Sequence, residues 1–449
     1  MKVAVVGTGY VGLVSAACLA EVGHEVACVD LDAAKIERIN RGEAPILEEG
    51  LDDLLARNVA AGRLHGTTDL AAAMAGASLS LIAVGTPFDG EHIDLRFIRQ
   101  VARDIAEVLK TGTDYHVVCV KSTVVPGTTA DVVGPILESV SGRTLGDTLG
   151  LAMNPEFLAE GSAVRDFMQP DRIVIGAIDQ RSADTVNQLY TPFKGTDTLV
   201  VNLATAEMIK YTSNAFLATV ISFANEIANL CTTVGDVDVM DVFGGVHLDR
   251  RLSPLTAGGR VRPGLMSFLL PGTGFGGSCF PKDVKALIAF GAHIQQPMPI
   301  LEAVIDTNRK QPGITVGLVR DALGELEGRR IAVLGLAFKP GTDDVRESPA
   351  EPIIRALCAA GATVIAHDPA ASAAMQRVLD PLPVEYAADV TAAVTGVDAI
   401  VLVTSWPEYK DLSRVLGSAE IPVIDGRRFL QPTDFGQYRG IGRRTSAAR

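Results

Sequence analysis

The feature that most limits what this chain can fold into stands at its start. Lys2 to Val6 is a short β-branched run, and Gly7-Thr8-Gly9-Tyr10-Val11-Gly12 follows without a spacer. Leu13 to Val22 then has the alanine-rich pattern of a helix stopped by Gly23, and Glu25 to Val29 reads as a second strand ending at Asp30. A lone glycine triplet of this form is a weak signal. Set between strand and helix, with an acidic residue closing the next strand 18 positions after Gly12, it specifies a βαβ unit that holds a dinucleotide. Gly7 permits the tight turn, Gly9 lets a pyrophosphate come close, and Gly12 lets helix pack on strand. The helix N-terminus at Tyr10 and Val11 receives the phosphates. Asp30 accepts hydrogen bonds from a ribose and repels a 2′-phosphate, which favours NAD over NADP. Lys35 fits a contact to pyrophosphate or ribose, and equally a solvated helix lysine.

Further βα units follow. Ser78 to Val84 is a strand leading into Gly85-Thr86-Pro87, and Asp94 to Leu109 a helix. His116 to Val120 leads into Lys121-Ser122-Thr123-Val124, and Gly150 to Met153 into Asn154-Pro155-Glu156. Strands alternating with helices imply a parallel sheet, whose ligands sit at the carboxyl ends of the strands. Thr86, Thr123 and Glu156 all fall there, as site residues or as turn residues. Glu156 and Glu160 are four apart and would share a face on one helical turn. They are either a solvated helix start or an acid-base carboxylate with a second carboxylate near the nicotinamide.

A second stretch carries the chemistry. Gly274-Phe275-Gly276-Gly277-Ser278-Cys279-Phe280-Pro281-Lys282-Asp283 places one cysteine in a glycine-rich loop. Pro281 suits the first turn of a helix, and Val284, Leu287 and Ile288 continue it. A thiol just ahead of a helix N-terminus, with Lys282 beside it, is biased toward the nucleophilic thiolate. The six cysteines are scattered with no CxxC pair, which argues against a disulfide framework and a zinc knuckle, so no metal is expected.

Between these stretches, Leu203 to Thr233 reads as one long helix of about 30 residues and about 45 Å, a connector and a possible dimer seam. Lys210 and Asn214 project together from it as i and i+4 neighbours. Arg250, Arg251, Arg260 and Arg262 form a basic loop that could hold a phosphate or merely offset the acidic surface. In the last third, strands at Arg330 to Leu336, Thr363 to Ala366, Ala399 to Thr404 and Val423 to Asp425 form a second doubly wound unit without a glycine triplet. Ser348 and Pro349 read as N-cap and first residue of its helix. Gly426-Arg427-Arg428 follows a strand end there. The fold class is therefore α/β, two Rossmann-like domains joined by a long helix: 1–202 for NAD, 203–310 for the helix, dimerisation and cysteine loop, and 311–449 for a nucleotide. Arg443 to Arg449 reads as a polar, frayed tail.

Net charge is −13 with pI near 5.1, so general attraction to nucleic acid or an anionic membrane is not expected. The opening Met-Lys-Val-Ala-Val-Val reads as a strand rather than a signal peptide. No apolar run reads as long enough to span a bilayer, and a cytoplasmic protein is expected.

An NAD site beside an activated cysteine permits a four-electron oxidation of a primary alcohol through an aldehyde, a thiohemiacetal and a thioester. Lys210, Asn214 and a water held by Thr123 suit the base and oxyanion roles. All seven histidines lie outside these motifs, so a histidine-based hydroxy-acid mechanism is poorly supported.

Taken together the motifs resemble the UDP-glucose/GDP-mannose dehydrogenase family over nearly the whole chain. The resemblance rests on the Gly7 to Gly12 triplet, Lys121 to Val124, Asn154-Pro155-Glu156-Phe157-Leu158-Ala159-Glu160-Gly161, Lys210 with Asn214, Gly274 to Asp283, and Phe338-Lys339 through Arg346-Glu347-Ser348. It implies Cys279 as nucleophile supported by Asp283, Glu156 as base of the thioester step, and Thr123, Lys210 and Asn214 around water and oxyanion. It implies Glu160, Arg346, Asp30, Lys35, Thr86, Ser122 and Lys282 toward NAD. Phe157, Leu158, Leu270, Gly272, Gly274, Phe275, Gly276, Phe338, Lys339 and Arg427 would meet the nucleotide sugar. The family carries an arginine about sixteen residues before the cysteine that reaches a neighbouring subunit's substrate. Position 263 here is Pro, so Arg262 or Arg260 would substitute. Leu269 to Phe275 looks more like the UDP-glucose branch. The substrate implied is UDP-glucose, with GDP-mannose or a UDP-N-acetylhexosamine as the alternative, in a homodimer or larger homo-oligomer. A β-hydroxyacid dehydrogenase and a non-catalytic nucleotide-binding regulator are the remaining rivals.

Overall fold

The computed structural model describes residues 1–443, so of the tail expected at Arg443 to Arg449 only Arg443 falls among the described residues. The chain divides into two compact units, Met1–Ser213 and Asn214–Arg449.

The first unit is built on an eight-stranded sheet: β1 (Lys2–Val6), β2 (Glu25–Val29), β3 (Leu64–Thr67), β4 (Leu79–Ile82), β5 (His116–Val120), β6 (Leu149–Met153), β7 (Arg172–Ala177) and β8 (Asp197–Val201). Their order is β3-β2-β1-β4-β5-β6-β7-β8. Val3 and Val5 enter the apolar cluster on one face and Ala4 and Val6 that on the other. Burial of both faces is why these strands are continuously apolar rather than alternating. The expected parallel sheet forms with one exception, since β6 and β7 run antiparallel. The β7–β8 pair extends the sheet beyond the strands expected from sequence.

The second unit contains a short hairpin, β9 (Leu255–Thr256) with β10 (Gly259–Arg260), and a fully parallel six-stranded sheet. Its strands are β11 (Arg330–Leu334), β12 (Thr363–His367), β13 (Val384–Tyr386), β14 (Ala399–Leu402), β15 (Val423–Asp425) and β16 (Tyr438–Gly440), in the order β13-β12-β11-β14-β15-β16. That is the strand order of the first six strands of the first unit, so both units are doubly wound in the same sense.

A 32-residue helix, Leu203–Val234, runs through the boundary. By length and composition it could cross a membrane, contrary to the sequence expectation that no run is long enough. It nevertheless buries Glu207, Lys210, Asn214 and Asn225, the pattern of a helix packed within protein. Glu207 accepts the Gly127 N–H at 2.6 Å and both the N–H and hydroxyl of Thr129, which fixes the start of this helix in the first unit.

Two local expectations are corrected. Asn154 to Ala159 is not helical: Pro155, two residues past the end of β6, has no N–H to give a helix and disfavours the helical conformation at Asn154, so Glu156 and Glu160 share no helical face. The helix after Ser348 spans Ala350–Ala359 with Pro349 at the cap position. Ser348 Oγ still accepts the Ala350 N–H at 3.3 Å while donating to Leu336 O at 2.7 Å.

Candidate active site

The glycine turn has the features that a dinucleotide requires. The helix Tyr10–Glu21 starts at Gly9 with no side-chain cap, leaving its first N–H groups open, and nothing lies within 4 Å of where a Gly9 Cβ would be. Such an end is ready for an anion. A Cβ on Gly12 would overlap the Gly7 carbonyl, so helix and strand meet here only through glycine. Asp30 closes β2, and its Oδ2 accepts the Thr8 N–H at 2.9 Å and the Thr8 hydroxyl at 2.6 Å. Burial disfavours its charge, but the Thr8 and Asp32 hydrogen bonds and the Lys35 ammonium outweigh that and hold its carboxyl below the usual range. Thr86 Oγ1 donates to Thr123 O at 2.7 Å, and Ser122 Oγ to Val84 O at 2.7 Å, which lock the loops after β4 and β5 together.

Tyr10 does more than begin a helix. Its hydroxyl and the buried Glu48 carboxylate hydrogen-bond one another, and both accept the Gly161 N–H, at 2.8 and 2.7 Å. The segment carrying Glu156 and the half-buried Glu160 is thus tied to the glycine turn. Glu48 was missed from sequence because nothing near it marks it out.

Glu156 is buried beside the long helix. Its Oε1 lies 2.8 Å from Lys210 Nζ, and its Oε2 accepts the Leu158 N–H at 2.7 Å. Phe157 is covered by the Arg172 guanidinium, 3.8 Å from its ring centre. Burial pushes the Glu156 carboxyl up, but Lys210 foremost, then the Leu158 N–H and Lys121, pull it below the usual range. The first unit therefore pairs Glu156 with Lys210 and ties the segment after Glu156 to the glycine turn, while Thr123 is joined to the loop after β4.

In the second unit Cys279 is the cap residue of the helix Phe280–His293, with Pro281 in the first turn, as expected. Its sulfur is 3.6 Å from Ser278 Oγ. Asp283, 1% exposed, accepts from Asn214 Nδ2 at 2.6 Å and from Lys282 Nζ at 2.6 Å. The Lys282 ammonium is thus paired with Asp283.

The loop before Cys279 is held by its backbone from three directions. Asn225 Oδ1 accepts the Gly272 N–H at 2.7 Å; Asn308 brackets Phe275, accepting its N–H at 2.7 Å and donating to its carbonyl at 2.9 Å. Arg427 donates to Gly274 O at 3.2 Å and Val403 O at 2.6 Å. Burial lowers the Arg427 pKa to about 10. Asn308 escaped sequence analysis, since a helix asparagine carries no local signal. Gly277 donates its N–H to Arg346 O at 2.9 Å, and the Phe338 ring lies against it. Lys339 Nζ is 5.6 Å from that ring, and Leu270 is exposed at the loop's start. The Arg346 guanidinium is chelated by Asp344, at 2.6 Å for its closest contact. Of the two arginines expected to substitute at position 263, Arg260 is bound to the carbonyls of Leu248 and Ser253, at 2.9 and 2.8 Å, and Arg262 is exposed.

The doubly wound first unit with its open glycine turn has the form of an NAD-binding domain, and with the comparisons that follow the chain is an NAD-dependent oxidoreductase. Three domain profiles then match in succession: the UDP-glucose/GDP-mannose dehydrogenase NAD-binding domain over residues 1–194, the central domain over 204–310 and the UDP-binding domain over 332–432. The chain belongs to the UDP-glucose/GDP-mannose dehydrogenase family. It is similar to the UDP-glucose 6-dehydrogenase AglM of Haloferax volcanii, 42% identical over 98% of this chain and 100% of that one. It is 43% identical to the UDP-glucose 6-dehydrogenase TuaD of Bacillus subtilis, over 98% and 93%. Its fold matches the UDP-glucose dehydrogenase of the hyperthermophilic archaeon Pyrobaculum islandicum with a TM-score of 0.90 and 39% identity, covering 98% of each chain.

Proposed function

We propose that this enzyme oxidises UDP-glucose to UDP-glucuronate, with four electrons leaving C6 on two NAD taken in turn. NAD supplies the hydride acceptor, held by Gly7, Gly9, Gly12 and Asp30. The alcohol first loses a hydride, its hydroxyl proton passing to a water held by Thr123, and becomes an aldehyde. The Cys279 thiolate adds to that carbon, and the resulting alkoxide is stabilised by Lys210 and Asn214. Loss of the second hydride leaves a thioester on Cys279. Water, oriented by Thr123 and deprotonated by Glu156, adds to the thioester, and departure of the thiolate frees the carboxylate. Asp283 orients the Asn214 amide. Phe157, Leu158, Phe338, Lys339, Arg262 and the Leu270–Gly276 loop contact the nucleotide sugar, and Arg427 supports that loop through Gly274.

The observation that carries this reading is Cys279 at the cap of a proline-started helix, preceded by a glycine loop held at Gly272, Gly274 and Phe275. A thiol there serves acyl chemistry that a simple alcohol dehydrogenase does not need. The three-part division at 202 and 310 and a homodimer belong to the same reading; exposed Phe216, Phe223 and Leu230 on the long helix support the dimer. Six free cysteines suit a reducing cytoplasm.

The test is NADH formed per molecule of limiting UDP-glucose, with GDP-mannose and UDP-N-acetylglucosamine run in parallel. Two NADH from UDP-glucose and little from the others is the expected result. One NADH would end the reaction at the aldehyde and remove the role of Cys279. Two from a rival sugar alone would keep the chemistry and change the substrate.

A further inference from the structure

Lys121 closes β5 and is 3% exposed, yet its ammonium donates to neutral groups rather than to a carboxylate. Its Nζ lies 3.0 Å from Asn154 Oδ1, 3.4 Å from the Tyr190 hydroxyl and 5.9 Å from the Phe167 ring centre. Asn154 is held from every side: its Nδ2 donates to Val174 O at 2.8 Å, its Oδ1 accepts from Tyr190 at 2.5 Å, and its N–H donates to Val120 O at 2.9 Å. Two residues further on is Glu156. Lys121, Asn154, Glu156 and Tyr190 line one cavity of about 190 Å³.

We propose that Lys121 is a positioning residue for Glu156: through Asn154 it fixes the turn that carries the carboxylate, and with Lys210 it supplies a second buried positive charge acting on it. The proposal rests on the reading of Glu156 as the base of the hydrolytic step. An ammonium without a buried counter-ion is costly, and its retention here is understood if its field is used. The charges around it are few. The Cys119 thiol lies on its own strand, Glu156 on the turn after β6 and Lys210 on the long helix, while Asp166, Asp171 and Arg172 line the same cavity. Burial, foremost, lowers the Lys121 pKa to about 8, while Cys119 and Glu156 raise it and Lys210 opposes them. Lys121 is in turn among the groups that lower Glu156.

The experiment is the pH profile of kcat for the full chain, wild type against Lys121→Met. The expected outcome is a kcat lower by about tenfold, KM for NAD and nucleotide sugar within about twofold, and an acid limb moved up by about one pH unit. A purely structural lysine would lower activity without moving the limb, so superimposed limbs overturn the proposal. Should Lys121→Met fail to fold, Asn154→Asp gives Lys121 a carboxylate of its own, and the limb moves in the same direction; an unmoved limb there also overturns it. Absence of NADH from any nucleotide sugar with the wild-type chain would instead defeat the functional reading, and is seen before any variant is compared.

Discussion

Lys210 and Glu156 meet as an ion pair, Nζ to Oε1 at 2.8 Å, with side chains only 3% and 5% exposed. Removing one partner strands the other charge. Lys210→Met is expected to destabilise the protein by about 3–5 kcal/mol, and the double variant with Glu156→Gln by less than the sum of the two single changes. Urea unfolding of the four proteins measures this. The folded carboxyl of Glu156 titrates below its ordinary value of 4.5. Its contribution is therefore complete above the unfolded pKa and is lost as pH falls from there through the lower folded value. Lys121 gives a slope of the same sign in a higher window. Its pKa is lowered from 10.5 to about 8, so the unfolded chain binds the extra proton and stability rises between these two values.

Cys279→Ser should abolish the second half of the reaction. A serine alkoxide forms far less readily than a thiolate, so net turnover is expected to fall on the order of a thousandfold. Steady-state NADH production reads this directly. Wild-type turnover in the variant would sink the covalent assignment.

Gly277 leaves no room for a side chain. An added Cβ would come within 2.6 to 2.9 Å of three Phe338 ring atoms, and the residue sits at φ +83°. Gly277→Ala is expected to cost about 1–3 kcal/mol, and to raise KM for the nucleotide sugar while leaving KM for NAD unchanged. Equal rises in both constants would mean a general loss of structure rather than a displaced loop.

Asp30 is held by Thr8 at the end of β2, where a ribose carboxylate partner belongs. Asp30→Ser removes a negative charge that would repel a 2′-phosphate. The preference for NAD over NADP, taken as a ratio of kcat/KM values, should fall by about tenfold or more. An unchanged ratio would show that the discrimination lies elsewhere.

Phe216, Phe223 and Leu230 are 53%, 51% and 59% exposed and recur every seven residues on the long helix. A spacing of seven drifts by only about 20° per repeat, so the three form one stripe. Phe223→Glu should lower the assembly state in sedimentation equilibrium. A wild-type chain that sediments as a monomer would remove the stripe as a subunit seam.

Much of this protein was legible in its sequence because the decisive signals are local. The glycine triplet of Gly7 to Gly12 needs only its flanking strand and helix to be read. Cys279 needs only Pro281 to be placed at a helix start. Elsewhere local reading failed for local reasons. The four-residue spacing of Glu156 and Glu160 suggested a helix, but with Pro155 two residues past β6 no helix forms there. Lys282, read beside the thiol, also has a partner that its position did not mark out, the Asp283 carboxylate at 2.6 Å.

What the sequence determined by itself, then, was the class of each unit, the open phosphate-binding turn and the place of the thiol, since each depends on backbone geometry set within a few residues. Tertiary structure alone decided the partners. Glu48 reaches Tyr10 and Gly161, Asn308 reaches Phe275 across 33 positions, and Glu156 finds Lys210 in the buried interior of the first unit. Lys121 is set near that pair, and among the described residues its ammonium donates to Asn154 and Tyr190 rather than to a carboxylate. Such pairings are chosen by burial, because a polar group taken from water must find whatever partner the packed chain brings near it, and no spacing along the chain records which one that is.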